Sequence, residues 1–392
     1  MRILLITPPL VQLNTPYPAT PYLTAFLKSR GYDARQADAS LDLALRIFSA
    51  NYINQLAAAL PPPAREEPPA VRWFRRSNHR CAATIDGVIG FLQGHNPGLG
   101  NKILTRRHLP EGPRFAVLAE LAHHSRKTGM SSAQQILTDH HQMAKYLASL
   151  YIDDIADTIR LGIDPWFGLA RYAERLSAGL PDFTPLQAAV EQRPTPIGRI
   201  LDELAVKYLR RFQPTLVGFT LPFPGTVYGA LRMARRMKQL QPELAVILGG
   251  GYVTTELRSL KDPRLFDYCD FITLDDGPLP LLRIVQRLAA RRCGPPLVRT
   301  LYRRAGRVVR SAIASSANIC RRALPPPCYS DLTLTRYIDL VEMPNRMHSL
   351  WSDGRWNKFV LAHGCYWHRC RFCDTALDYI GRYEEPDIAN LI

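Results

Sequence analysis

Residues 2–7, RILLIT, form an apolar run of strand length. The next stretch, PATPYLTAFLKSRGY (18–32), carries apolar positions at helical spacing and closes on Gly31. DARQADAS (33–40) then predicts a second, edge-type strand. Strand, helix and strand in this order predict a parallel pair. From about Leu41 to Pro194 the apolar positions recur at helical spacing, as in LDLALRIFSANYINQLAAAL (41–60) and AQQILTDHHQMAKYLASLYIDDIADTIRLG (133–162). Proline-rich breaks such as PPPAREEPP (61–69) separate these stretches, so a helical insertion is expected after the second strand.

Alternation resumes with helix IGRILDELAVKYLRRFQ and strand TLVGFTL, then helix VYGALRMARRMKQL and strand LAVILGG. FDYCDFITL and the helix PLPLLRIVQRLAARR complete a third step. Added to the first two strands, these predict a five-stranded, doubly wound parallel sheet. Further on, LVRTLYRRAGRVVRSA predicts a small hairpin turning at Gly306, and RRALPPPCYSDLTLTRYIDL an extended connector pinned by prolines. KFVLAH (358–363) predicts a short strand and DTALDYIGRY (374–383) a helix, the first unit of another α/β domain. The expected divisions are 1–40 and 196–294 for the two parts of the α/β domain, 41–195 for the insertion, 295–357 for the hairpin and connector, and 358–392 for the second domain.

Ligands of a doubly wound sheet bind beyond the carboxyl ends of its strands. Gly249, Gly250 and Gly251 end one strand, where the backbone can turn sharply or approach a ligand; the spacing does not match GxGxxG, so no nicotinamide cofactor is implied. Thr220 ends the preceding strand with a hydroxyl, and TPPLVQLNTPYPATPY, around Gln12 and Asn14, makes a rigid loop at the same edge. Each also has a plain reading, as a tight turn, a backbone-bonding hydroxyl or punctuation.

The chain of 392 residues is long enough for two or three domains. Its net charge is +16, and only eight of its 50 basic residues are lysine. The arginines are scattered as pairs such as Arg75-Arg76, Arg210-Arg211 and Arg321-Arg322, without one stripe of interleaved aromatics, which argues against a nucleic-acid partner. No apolar stretch approaches the roughly 18 residues of a membrane span. The first apolar run ends on Pro8 and Pro9 with no cleavage site, so a cytoplasmic protein without a membrane partner is expected. The histidine pairs His123-His124 and His140-His141 point apart on a helix and are expected at the surface. Cys81, Cys269, Cys293, Cys320 and Cys328 are isolated and are expected as small buried or half-buried thiols.

Cys365, Cys370 and Cys373 in GCYWHRCRFCD are different, with the spacing C-x4-C-x2-C. Thiolates suit zinc, with His363 or His368 as a fourth ligand, or an iron–sulfur cluster with one iron left open. The loop alone leaves both readings standing.

This loop, after a predicted strand and before a predicted helix, with Phe372 ahead of its last cysteine, resembles the cluster loop of radical S-adenosylmethionine enzymes. It has one residue more than their usual C-x3-C-x2-C. The GCYW-x-x-C-x-F-C form resembles a subset with an N-terminal domain of the cobalamin-binding, flavodoxin-like type. RILLITPP, LVGFTL, VILGGGYVTTE and FDYCDFITLDDG resemble that domain strand by strand, leaving the insertion unmatched. The resemblance implies a [4Fe–4S] cluster on Cys365, Cys370 and Cys373, with S-adenosylmethionine on the fourth iron as the source of a 5′-deoxyadenosyl radical. It implies cobalamin with its nucleotide tail past Thr220 and Gly249 to Gly251, or a domain that has lost the cofactor and serves recognition. The loop after the first strand lacks the family's cobalt-binding histidine. The family's barrel needs several more βα units, and nineteen residues follow Cys373. The chain is therefore expected to be an N-terminal portion that carries the first unit of an incomplete barrel and lacks robust turnover, with a second chain completing the barrel as one arrangement. The expected substrate is a small molecule or peptide, and methyl transfer through cobalamin is one expected reaction. The rival readings are a non-catalytic zinc- or ligand-binding module and an RNA-modifying radical enzyme.

Overall fold

The computed structural model of the chain describes residues 1–120, 140–169, 172–177, 182–290, 294–311, 318–341, 357–371, 373–375 and 377–387. His123, His124, Cys293 and Phe372 lie outside the described residues. The chain starts with β1 (Arg2–Thr7), α1 (Ala19–Ser29) and β2 (Asp33–Asp38). Ile3 to Thr7 are all buried, whereas Asp33 and Arg35 are exposed, as suits an inner strand beside an edge strand.

The insertion opens with α2 (Ala39–Ile47) and α3 (Ala50–Ala59). Its helical pattern over 41–60 splits because Ser49 turns out of the helix at φ −132°, ψ 150°, and its hydroxyl accepts the Tyr52 N–H to start α3. α4 (Pro69–Leu92), α5 (Leu99–Leu104), α6 (His140–Gly162), α7 (Glu174–Ser177) and α8 (Thr184–Glu191) follow. α4 and α6 are tied together where Tyr151 OH donates to the Cys81 carbonyl and Thr158 Oγ1 to that of Ala70, both at 3.1 Å. His140 and His141 are exposed at the start of α6, as expected.

The alternation continues through α9 (Pro196–Phe212), β3 (Leu216–Thr220), α10 (Val227–Leu240), β4 (Ala245–Gly249), α11 (Gly251–Glu256), β5 (Phe271–Thr273) and α12 (Pro278–Ala289). β1 to β5 are parallel, in the order β2-β1-β3-β4-β5. The hairpin β6 (Thr300–Arg304) and β7 (Arg307–Arg310) is not separate from the sheet. It pairs antiparallel with β5, Phe271 opposite Tyr302, so the sheet is mixed and seven-stranded rather than five-stranded and parallel. A bare β5 edge would offer unpaired backbone groups, and the hairpin covers them.

Alternation along the strands sorts the core into two faces. Ile3, Leu5, Leu216 and Ile247 pack with Phe26 and Leu27 of α1 and Leu281, Ile284 and Val285 of α12. Leu4, Ile6, Val217, Phe219, Val246 and Leu248 belong to a larger core that includes α2, α9, α10 and the insertion helices without a break. The connector joins this core too. Asp331 pairs with Lys28 and Arg35 beside β2, Tyr337 and Ile338 are buried, and Asp339 holds Lys145 of α6 at 2.6 Å, each side chain less than a tenth exposed. A lysine that deep is tolerable only when paired.

Two expectations fail nearer the C-terminus. Residues 358–363 form no strand, and the described residues of 374–383 contain one helical turn, α13 (Asp378–Gly381). His363 and Glu384 make a single antiparallel bridge, and an apolar run with no neighbouring strand to extend the ladder stays irregular. Cys81 and Cys269 are buried and Cys328 is half-buried, but Cys320 is exposed, because the connector crosses the surface there. No described helix is long and apolar enough to cross a membrane.

Candidate functional site

β1, β3, β4 and β5 run parallel, so their carboxyl ends share one edge of the sheet. The strand order turns back between β1 and β3, leaving a crevice at that edge. A cavity of about 360 Å³ occupies it. Leu5, Gly218, Phe219, Thr220 and Ile247 form its floor. Tyr17 before α1 and the N-terminal parts of α1 and α12 wall it, with Thr20, Leu23, Pro278 and Leu281. Arg321, Leu324, Val360 and His363 come from the far end of the chain and roof it.

Thr220, Gly249 and Gly250 line this cavity, and Gly251 does not. Thr220 and Gly249 are neighbours in the β3–β4 ladder. Gly250 sits at φ +114°, and a Cβ on it would lie 2.7 Å from the Leu221 carbonyl oxygen. The same Leu221 donates its N–H to the Gly249 carbonyl at 2.6 Å and accepts the Tyr252 N–H at 3.0 Å. The glycines therefore make the turn into α11, Gly251 serving as its first residue, and two of them also give the cavity its wall. Tyr17 and Pro18 of the proline-rich loop line the cavity, whereas Gln12 and Asn14 do not.

The lining is mostly neutral. Asp275 is engaged by the Arg258 guanidinium. Burial pushes the Tyr17 phenol up, so it stays a neutral hydroxyl. Thr273 Oγ1 donates to the Leu248 carbonyl at 3.3 Å, and Tyr22 OH accepts the Val360 N–H at 2.9 Å. Aliphatic walls with a few convergent hydroxyls suit an organic ligand with a flat apolar part.

No protein-family model and no curated protein matches this chain.

The cysteine loop begins two residues beyond His363 of the roof. Cys365, Cys370 and Cys373 are free and partly exposed. The Cys365 N–H donates to the Ile380 carbonyl at 2.8 Å, and Cys365 Sγ accepts the His368 N–H at 3.4 Å. Loss of solvent, then the neighbouring Cys373 and Cys365, push the Cys370 thiol up. Cys370 thus lies within the field of the other two thiols. Among the described residues, no three His, Cys, Asp or Glu side chains are arranged as a metal-holding group. His363 Nε2 is buried without a hydrogen-bond partner, and burial followed by the charge of Arg321 holds its imidazole below the usual histidine range.

Thr273 and Arg321 escaped the reading of the sequence, and Tyr22 lay within the proline-rich stretch without being singled out. Thr273 ends a strand as Thr220 does, so the same rule could have found it. Nothing local marks Arg321, whose place depends on the connector folding back over the sheet edge.

Proposed function

We propose that the chain is the cobalamin-domain part and cluster loop of a radical S-adenosylmethionine protein. The observation that carries this reading is the cavity at the β1/β3 crevice, roofed by the segment that leads directly into the three cysteines. Five parallel strands in the order 2-1-3-4-5 support the flavodoxin-like, cobalamin-binding assignment of the sheet. The cavity's glycine and hydroxyl wall suits the nucleotide tail of cobalamin, with Thr220 and Thr273 as polar contacts.

Cys365, Cys370 and Cys373 would hold the cluster. Three soft thiols, Cys370 near the other two and Cys365 already accepting an amide N–H, fit an iron–sulfur donor set. The loop has little regular structure to resist the adjustment that would draw the thiols together as metal bonds form. With S-adenosylmethionine, such a cluster supplies a 5′-deoxyadenosyl radical for modification of an organic or peptide substrate, including methyl transfer when cobalamin is present. The chain's own residues would bind and orient: the sheet edge would grip one cofactor, and the roof residues Val360 and His363 would carry the chain from the cavity into the cysteine loop.

The test is iron, zinc and acid-labile sulfide analysis with an absorption spectrum, on anaerobically prepared protein and on Cys370→Ala. About four irons and four sulfides per chain, lost in the variant, are expected. One zinc without sulfide would replace the radical reading with a zinc-binding module that uses His363 or His368.

A further inference from the structure

The cysteine segment has few apolar anchors. Phe359, Leu361, Tyr366, Trp367 and Tyr383 are all exposed. Tyr22 and Tyr329 hold its first residues through the Val360 N–H and the Lys358 carbonyl, and nearer the cysteines its attachment to the sheet edge runs through Asp276, in the loop after β5, which is only 5% exposed. Asp276 Oδ1 accepts Arg321 Nη2 at 2.7 Å, and Oδ2 lies 3.9 Å from Arg382 Nη2. Its main-chain carbonyl accepts Arg299 Nη2 at 3.1 Å, which fixes the loop beneath. Glu384 closes the arrangement: its carboxylate accepts the Arg321 N–H at 3.4 Å and lies 3.3 Å from Arg382 Nε.

From there to the thiols the path is short. Glu384 and His363 exchange backbone hydrogen bonds at 2.8 and 2.9 Å. Gly364 follows at φ +79°, and a Cβ on it would overlap the Arg382 carbonyl oxygen. Cys365 comes next. Arg321 Nε and both Nε and Nη2 of Arg382 are buried without a hydrogen bond, so the Arg382 guanidinium is held by the charge of the Asp276 and Glu384 carboxylates. Asp275 and Gly277, on either side of Asp276, line the cavity.

We infer that Asp276 is a positioning residue that latches the cysteine loop over the mouth of the cavity. The loop after β5, which borders any bound ligand, thereby also sets where the thiols stand. This rests on the reading of the cavity and the cysteine loop as one site.

The test uses the full ligand-free chain, timed alkylation with iodoacetamide, and mass spectrometry of each cysteine. Asp276→Asn and Arg382→Gln should each speed alkylation of Cys365 and Cys373, relative to Cys328, by about three-fold or more. Asp202→Asn, which breaks the buried pair with Arg232, should leave that ratio unchanged. Unchanged ratios in both latch variants, or an equal rise in Asp202→Asn, would overturn the latch. If Asp276→Asn does not fold, Arg382→Gln carries the test from the other side. Equilibrium dialysis of cyanocobalamin against the wild-type chain is a separate arm: absence of binding would remove the cobalamin reading and leave the alkylation result standing.

Discussion

The glycine turn at the end of β4 and the cysteine loop sit at the same edge of one sheet, yet they are held by different physics. Around Gly249 to Gly251, the ladder from β3 to β5, apolar packing on both faces and the Leu221 backbone leave one conformation. Around Cys365 to Cys373 there is one β-bridge and a charge cluster, with Tyr366 81% and Trp367 54% exposed. Burial fixes a scaffold tightly but tolerates little adjustment. Ion pairs and single hydrogen bonds hold a loop in place while letting it close on a ligand. The three cysteine sulfurs lie on the loosely held side, and the cavity wall on the rigid one.

That contrast can be broken by substitution, and the largest effect belongs on the rigid side. Gly250→Ala puts a Cβ against Leu221 in a backbone region essentially closed to other residues, and should cost about 3–4 kcal/mol by urea denaturation. A loss below about 1 kcal/mol would mean that the turn adapts as freely as the cysteine loop.

A smaller effect comes from within the insertion. Asp154 of α6 is fully buried; burial pushes its carboxyl up to about 7 from the ordinary 3.8, despite the hydrogen bond from the Arg114 N–H, and Oδ2 has no partner. Its folded pKa lies above its unfolded one, so between about pH 4 and 7 the folded state binds more protons. Stability should therefore fall as pH rises through that window, by on the order of 2 kcal/mol between pH 5 and pH 8. Asp154→Asn should flatten this slope in urea melts at the two pH values, and an unchanged slope would locate the dependence elsewhere.

The smallest effect is expected on the other side. Cys370→Ala alters a half-exposed thiol outside both cores, and should change the ligand-free stability by less than about 0.5 kcal/mol. A larger loss would show that the cysteine loop is part of the scaffold.

Much of the scaffold was legible because burial writes itself into local periodicity. Helix α10 fills the whole of VYGALRMARRMKQL, and β1 fills RILLIT. Where the pattern misled, the missing information was a partner. KFVLAH is as apolar as several true strands, but among the described residues no strand lies beside it. The hairpin turning at Gly306 was recognisable, whereas its pairing with β5 depends on an edge some thirty residues upstream. Thr220 and Gly249 could be picked as strand-end residues, and their adjacency follows from the β3–β4 register.

By itself the sequence determined the α/β alternation, the helical character of the insertion, the turn at the glycines and the clustering of three thiols, since each is a property of residues within a few positions of one another. Only the tertiary structure decided that the hairpin extends the sheet, that the connector is pinned into the main core, and that Arg321, Val360 and His363 roof the crevice between β1 and β3. Those outcomes depend on contacts between residues from some thirty to a few hundred positions apart, where the entropy of closing a loop is offset by burial and charge pairing that no local pattern records.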